Sequence, residues 1–481
     1  MKKKQKLKKT DRKTNYFINV NKQRTKTMAN ENIELMRGEP EKAVRTLAIP
    51  IMISMILTAS YNIIDGIWVT GLGQTAIAGI GFVTPIFMIL NGVSVGLGSG
   101  ATSSISRFVG AQNHDKVDES ATHSMIIFLI ASLLLTFIFI LFQEPLLRSY
   151  GASGETLNQA LSYSTPLFLG LIGFMFANGA SGILRGEGDM KRAMYAVIVS
   201  VGLNTILDPI LIYTLNFGAS GAALATVISS LISAIVILYW ILIKKDTYCN
   251  IKFKDFKLNW SMVGDILKVG IPASLDMFVM SIAMSIYLIL ISQVGGDYGI
   301  AVFSSGQRLF LFAIMPLTAI GSAVVAVAGS AYGAENGDYL SRAHKYGAKF
   351  GLIVGLIITS ILVIFATPLS TMFAYTPETA SLIPGIAEYL QIVCPSLVLT
   401  GIGIPSSFFY QGIGKGGYSL LFTFLREVLL AAPLTYYFGI ILGWKIFGIW
   451  IGLFIGKSAI SIVNYIFARY EIRRIRKTLT E

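Results

Sequence analysis

Apolar stretches of about 20 residues recur about twelve times along this 481-residue chain, separated by short polar connections. A helix of about that length spans the hydrocarbon core of a bilayer. Only 14% of the residues are charged and the mean hydropathy is +0.66, whereas roughly a quarter of the residues in a typical soluble domain are charged. The sequence therefore predicts an all-α polytopic membrane protein with twelve transmembrane helices. The predicted spans cover residues 46–70, 78–106, 119–142, 160–184, 193–214, 219–243, 262–293, 299–328, 345–367, 383–410, 417–440 and 446–468.

An internal repeat divides the chain into two halves. Pro50 opens the first span and Pro272 opens the seventh, while residues 108–113 after the second span resemble residues 330–336 after the eighth at nearly the same offset. Each half has six spans, and because six is even, both halves run in the same direction. We therefore expect a pseudo-two-fold axis along the membrane normal, with a cavity between two six-helix bundles. The predicted parts are a basic tail at 1–37, a bundle at 38–243, a linker at 244–261, a second bundle at 262–470 and a basic tail at 471–481.

Basic residues fall at every second connection, and by the positive-inside rule those loops and both termini face the cytoplasm. This orientation predicts a multi-pass protein of the cell membrane. Residues 1–27 hold eleven Lys or Arg against one acid, Asp11. Such a tail is suited to anionic lipid, or it is a disordered extension ahead of a second start at Met28. Membrane lipid is the expected partner, and no nucleic-acid partner is expected.

Two acids stand alone in long apolar runs: Asp65 in the first span and Asp208 in the fifth. A charge at the bilayer centre costs at least about 2.5 kcal/mol, so intramembrane acids are generally functional. Tyr61 and Asn204 each lie one helical turn from one of these acids, and Pro209 predicts a kink that frees backbone carbonyl oxygen. These oxygens suit a hard cation, but the same two acids could share a proton. The pattern predicts ion-coupled transport and leaves sodium and proton open.

A structural alternative is that each acid caps a helix break or pairs with Arg308 or Arg426. Asp276 and Arg308 are secondary site candidates, since both interrupt apolar spans. Arg426 and its neighbour Glu427 point about 100° apart on an α-helix, so we expect them not to pair with each other.

Two patterns typical of soluble enzymes occur in the sequence, but their positions do not fit those functions. Residues 412–417 fit G-x-G-x-x-G, but they join two apolar spans rather than a strand and a helix. Residues 452–458 resemble a phosphate-binding loop with one residue too few, inside a span. The three His residues offer no metal-ligand spacing within a span, and nothing resembles a catalytic triad. The sequence predicts no catalytic residue, no enzyme activity and no cofactor beyond a coupling ion.

The chain resembles the multidrug and toxic compound extrusion (MATE) family over residues 38–470. The resemblance rests on the twelve spans in two halves and on four motifs, namely Tyr61 to Asp65, LRGEGD at 184–189, NTILDP at 204–209 and GASGAA at 218–223. Asp in the first span together with N-x-x-x-D-P in the fifth is most similar to the archaeal and DNA-damage-inducible branch.

The resemblance implies a V-shaped pair of bundles that exports cationic or amphipathic compounds by alternating access, driven by inward sodium or proton flow. Carried over position by position, the coupling-ion ligands, which would be metal ligands if the ion is sodium, are Asp65, Asn204, Asp208 and Thr226. It also places Tyr61 and Asn178 in the same cavity. Ser181 joins this polar network where relatives tend to have another Asn. Other branches carry a glutamate deeper in the seventh span, near the depth at which Met280 stands here. We therefore expect the cation site in the N-terminal bundle alone.

A flippase for lipid or a lipid-linked oligosaccharide, from the same superfamily, is the nearest alternative. It would be expected to line its cavity with several basic residues, whereas the intramembrane cations here are few: Arg308, Arg426 and Lys457. An ion channel would call for a repeated polar ring, but the position equivalent to Asp65 in the second half, by the offset of Pro50 and Pro272, is Tyr287. We expect a monomeric antiporter of small amphipathic or cationic molecules.

Overall fold

The structure is a computed structural model that describes residues 31–254, 256–372, 374 and 379–480. Most of the predicted N-terminal tail therefore lies outside the described residues. Within these residues the chain is almost entirely helical and contains no strand. The expected fold class is confirmed. The spans, in chain order, are Pro40–Thr70, Gln74–Gly110, His114–Ser149, Gly154–Leu169 with Leu171–Gly186, Met190–Thr214, Gly218–Lys244, 260–295, 297–333, Gly337–Ile364, Ala380–Val393 with Ser396–Gly412, Gly416–Ile441 and Lys445–Thr480.

The count of twelve depends on three breaks. Among the described residues nine helices are individually long and apolar enough to cross a membrane, and two further spans, the fourth and the tenth, are helix pairs bent by 50°. The 74-residue helix Trp260–Gly333 is interrupted at Gly296, whose φ of 52° and ψ of −148° are not helical. Glycine tolerates this positive φ without the steric cost that a Cβ would bring. The break separates the seventh span from the eighth, which brings the number of spans to twelve.

The fifth span departs from regular α-helix at Pro209, the residue at which the sequence predicts a kink. The α-helix Met190–Pro209 continues into a π-helical turn at Ile210–Thr214, so the backbone widens after Pro209. A π-turn is one of the ways in which a helix absorbs a proline that cannot donate to the preceding turn. The eleventh span carries two such turns, Leu425–Ala431 and Tyr437–Ile441.

The two halves meet where the second and eighth spans cross. Gly110 packs against the carbonyl of Ser330, and Gly333 against the carbonyl of Arg107, at distances that leave no room for a Cβ. An ion pair between Arg107 and Asp265, at 2.5 Å, also joins the halves at this end. A second pair, Arg342 with Glu41, crosses between them with two contacts of 3.0 and 2.9 Å. We call this contact region the closed end of the molecule.

The linker is fastened to the N-terminal half by a buried acid. Glu187 lies in the turn between the fourth and fifth spans and accepts hydrogen bonds from the backbone N–H groups of Tyr248 and Cys249, at 2.9 and 3.0 Å. Burial raises the pKa of Glu187 to about 8. Nearby, Asp246 pairs with Arg192 at 3.0 Å. These contacts attach the linker to the N-terminal half.

Candidate cation and substrate site

Five polar residues from the first, fifth and sixth spans converge in the N-terminal half, and we call them the N-terminal cluster: Tyr61, Asp65, Asn204, Asp208 and Thr226. The carboxyl group of Asp65 lies within hydrogen-bonding reach of that of Asp208. The Tyr61 hydroxyl lies 3.4 Å from Thr226 Oγ1. The sequence expectation that the two acids are neighbours therefore agrees with the geometry.

Asn204 bridges the fifth and sixth spans. In the amide orientation that satisfies both of its ends, Nδ2 donates to Asp208 Oδ2 at 2.8 Å and Oδ1 accepts from the Thr226 backbone N–H at 3.1 Å. Asn204 and Asp208 are four residues apart, so helical spacing sets them on one face. The amide thereby fixes the rotamer of the Asp208 carboxyl.

Asp208 is fully buried, and its Oδ1 has no hydrogen-bond partner among the described residues. A buried carboxylate oxygen without a partner is costly. Two carboxyl groups within hydrogen-bonding reach also repel each other unless a proton or a cation lies between them. The oxygens of Asp65, Asp208 and Thr226 are of the kind that a hard monovalent cation prefers. The cluster can therefore hold either a cation or a shared proton.

Asn178 and Ser181 of the fourth span make a different set of contacts. Asn178 Nδ2 donates to the carbonyl of Phe174 at 3.1 Å, and Ser181 Oγ donates to that of Ala177 at 2.7 Å. Both side chains are thus bonded to their own helix. The structure does not link them to the N-terminal cluster by a hydrogen bond among the described residues.

The secondary candidates are also apart from the N-terminal cluster. Asp276 Oδ2 accepts a hydrogen bond from Ser419 Oγ at 3.2 Å, in the C-terminal half. Arg308 is exposed, and it forms no ion pair within the part of the chain that the structure describes. Neither residue pairs with Asp65 or Asp208 among the described residues. The structure therefore does not support the alternative in which Arg308 neutralises one of these acids.

A second buried polar cluster was missed by the sequence analysis, and we call it the C-terminal cluster: Tyr287, Arg426, Glu427 and Lys457. Lys457 Nζ donates to both carboxylate oxygens of Glu427, at 3.0 and 2.8 Å. The Tyr287 hydroxyl donates to Glu427 Oε2 at 3.0 Å. The signal that could have found it is that Glu427 and Lys457 interrupt consecutive spans.

The expectation that Arg426 and Glu427 do not pair was wrong. Arg426 Nε donates to Glu427 Oε1 at 3.0 Å. The expected angular separation does not prevent the pairing, because the long arginine side chain folds back onto its neighbour; both residues lie in the π-helical turn Leu425–Ala431. Arg426 is therefore unavailable as a partner for the N-terminal acids.

Comparison with known proteins identifies the family. The MatE family model matches residues 50–210 and again residues 272–437, once in each half. The chain therefore belongs to the MATE family. The multidrug export protein MepA of Staphylococcus aureus (strain NCTC 8325 / PS 47) is 27% identical over 401 residues, covering 81% of this chain and 85% of that protein. The probable multidrug resistance protein YoeA of Bacillus subtilis (strain 168) is 24% identical over 347 residues, covering 70% and 74%.

Solved MATE structures give the same result. An outward-facing multidrug resistance MATE transporter of the MOP superfamily matches with a TM-score of 0.90 at 37% identity, over 93% of this chain and 99% of the other. A MOP superfamily transporter from Pyrococcus furiosus Vc1 (DSM3638), described as having a binding pocket of reverse polarity that suggests a different function, matches with a TM-score of 0.89 at 37% identity, over 92% and 98%. These relatives confirm the family, the fold and the expectation of a transporter rather than an enzyme.

Proposed function

We propose that this MATE protein exports cationic or amphipathic small molecules in exchange for sodium or protons that bind at the N-terminal cluster. The names of MepA and YoeA support export of several compounds. The observation that carries the coupling is the fully buried Asp208, whose Oδ1 lacks a partner among the described residues and whose carboxyl faces that of Asp65.

The cycle we propose has three linked steps. With the cavity open on the side away from the closed end, an arriving cation neutralises Asp65 and Asp208. This removes the repulsion between the acids and lets the first span repack against the fifth and sixth, which expels the bound compound. Opening of the closed end then releases the cation on the other side. A coupling of about 1–3 kcal/mol between the two sites is enough to bias such a cycle.

The proposed setting is the cell membrane, with both termini and the closed end on the cytoplasmic side. The basic loops that meet at the closed end support this orientation, since Arg107 and Arg342 both lie there. The proposed partners are small amphipathic or cationic substrates and membrane lipid, and the proposed functional unit is a monomer.

The test is efflux of a fluorescent cationic dye from proteoliposomes, with a sodium gradient and a proton gradient imposed separately. We expect one gradient to drive efflux and the Asp208→Asn variant to lose that dependence. Sodium-driven efflux would identify a coordinated metal cation at the N-terminal cluster, and proton-driven efflux would identify a protonation switch. Efflux by Asp208→Asn at the normal rate under the same gradient would refute the assignment.

A lipid or lipid-linked oligosaccharide flippase is the second candidate. The relative from Pyrococcus furiosus has a binding pocket whose reverse polarity is described as suggesting a different function, which supports testing a substrate other than a drug. Against it, Arg426 and Lys457 are both paired with Glu427, so two of the three intramembrane cations expected to meet a pyrophosphate are already neutralised. Dye that fails to move under either gradient, together with scrambling of a fluorescent lipid, would favour the flippase.

A further inference from the structure

The C-terminal cluster is built on the counterparts of the spans that carry the N-terminal cluster. Tyr287 stands as far along the chain from Asp65 as Pro272 stands from Pro50, the two prolines that open the halves. Glu427 lies in the eleventh span and Lys457 in the twelfth, which correspond to the fifth and sixth. Each cluster therefore joins the first, fifth and sixth spans of its half.

The packing of two glycines supports this correspondence independently. Gly221 in the sixth span packs against the backbone of Leu211 in the fifth, and Gly448 in the twelfth packs against the backbone of Phe438 in the eleventh. Both members of the second pair follow their counterparts by the same offset along the sequence. That offset also relates Lys457 to a residue of the sixth span, Ser230, which lies one turn from Thr226 on the same helical face.

The Lys457 ammonium is held in the manner of a bound cation. Both oxygens of Glu427 accept from it, and the rings of Tyr287 and Phe310 lie 5.9 and 5.6 Å from Nζ, within the range of cation–π attraction. The side chains of Lys457 and Glu427 are only 11% and 4% exposed. A carboxylate with two aromatic faces is a recognition site for a monovalent cation.

The surrounding charges balance only when Lys457 is counted. Arg426 pairs with Glu427 and also lies close enough to Asp276 to interact with it electrostatically. The group of Asp276, Arg426, Glu427 and Lys457 then has two negative and two positive charges. Without the ammonium it keeps one negative charge too many, the deficit that a single monovalent cation would restore.

We propose that Lys457 is a built-in cation of the C-terminal half: its ammonium neutralises a buried acid among the seventh, eleventh and twelfth spans, as the coupling cation does among the first, fifth and sixth. The two sites are not at the same height, since the offset of the glycine pairs relates Glu427 to Ser200, about two helical turns before Asp208. The C-terminal half is then always loaded, and only the N-terminal half responds to cations from solution. This inference rests on the proposed function of the N-terminal cluster, but its test measures binding and does not require transport.

The experiment follows thermal unfolding of the detergent-solubilised protein as sodium chloride replaces choline chloride at constant ionic strength, and separately as the pH is lowered from 8 to 5. The Asp208→Asn background silences the N-terminal cluster. On that background we expect Lys457→Met to create a new cation dependence. Tm should rise by about 2–5 °C across a 100-fold increase in the concentration of the ion that binds. Lys457→Arg, which keeps the charge, should create none.

A third variant tests the partner. Adding Glu427→Gln to Asp208→Asn and Lys457→Met removes the excess negative charge, so the new dependence should disappear. An Asp208→Asn/Lys457→Met protein that folds but responds to neither ion would overturn the inference. So would one that fails to fold at every salt concentration and pH while the Glu427→Gln triple variant folds, because no free cation could then replace Lys457. Cation dependence that persists in Asp208→Asn alone would instead count against the proposed function of the N-terminal cluster.

Discussion

The two halves of this protein solve the problem of a buried acid in different ways. In the N-terminal cluster two carboxyl groups face each other, and no Lys or Arg pairs with either among the described residues. In the C-terminal cluster one carboxylate, Glu427, is held by a lysine, an arginine and a tyrosine. An acid that lacks a protein cation is suited to respond to a cation from solution, whereas an acid saturated by its own side chains is suited to hold helices in place. Under the proposed function, similar architecture therefore carries one half that responds to cations and one that does not, and we call them the responsive half and the fixed half.

The largest effect is expected from the responsive half. Asp65→Asn removes one of the two repelling charges while keeping the size of the side chain, so cation arrival no longer changes the balance between conformations. We expect gradient-driven efflux to fall to the level of protein-free liposomes, while the Tm changes little. Efflux that still follows the imposed gradient would show that Asp65 is not needed for the cation response, and the contrast between the halves would then be wrong.

Substitutions in the fixed half should lower the stability of the protein. Glu427→Ala leaves Lys457 and Arg426 buried without their carboxylate, and breaking a buried pair in this way costs about 3–5 kcal/mol. Thermal unfolding in detergent should therefore begin well below that of the wild type. The matched control is Glu427→Gln with Lys457→Met, which removes one charge of each sign and should recover much of the loss.

The linker allows a pH test away from both clusters. Burial holds the pKa of Glu187 at about 8 in the folded protein, against 4.5 for an ordinary glutamate, so the folded state binds more protons between these pH values. The stability from this proton is fully present below pH 4.5 and is lost as pH rises through about 8. We expect Tm to fall with rising pH across this window and the slope to be smaller in Glu187→Gln, as measured by unfolding scans from pH 5 to pH 9. An equal slope in both proteins would show that Glu187 does not titrate there.

The smallest effect sharpens the membership of the N-terminal cluster. Thr226→Ala removes the hydroxyl near Tyr61, and we expect the apparent affinity for the coupling ion to fall by about tenfold, or about 1.4 kcal/mol, as measured by the gradient needed for half-maximal efflux. Thr226→Ser should restore it. Asn178→Ala is the matched comparison, because Asn178 bonds to its own helix and should change the affinity much less.

The sequence was sufficient for the fold and for the neighbouring acids because both leave strong one-dimensional signals. Twelve apolar stretches are visible in composition, and an acid inside such a stretch stands out. The cost of burying each acid indicated that both are functional, and the resemblance placed Asp65 and Asp208 in one site. Their site roles stay predictions.

The sequence shows that Glu427 and Lys457 interrupt apolar spans, but the pairing within the C-terminal cluster could not be predicted from it, for two physical reasons. Glu427 and Lys457 are 30 residues apart on different spans, and nothing local says that the two faces meet. The pairing of Arg426 with Glu427 was not anticipated, because an angular separation between neighbouring residues does not prevent a side chain as long as that of arginine from folding back. The orientations of Asn178 and Ser181 were also not predictable, since a polar side chain in an apolar helix can satisfy itself on the preceding turn.

The crossing of the second and eighth spans has a consequence for engineering. At Gly110 and Gly333 the two backbones touch without any side chain between them. A methyl group at either position would act as a wedge, and it would do so far from both clusters and without altering any charge. The balance between conformations of this transporter can therefore be altered sterically at the closed end, without changing the charge of either cluster.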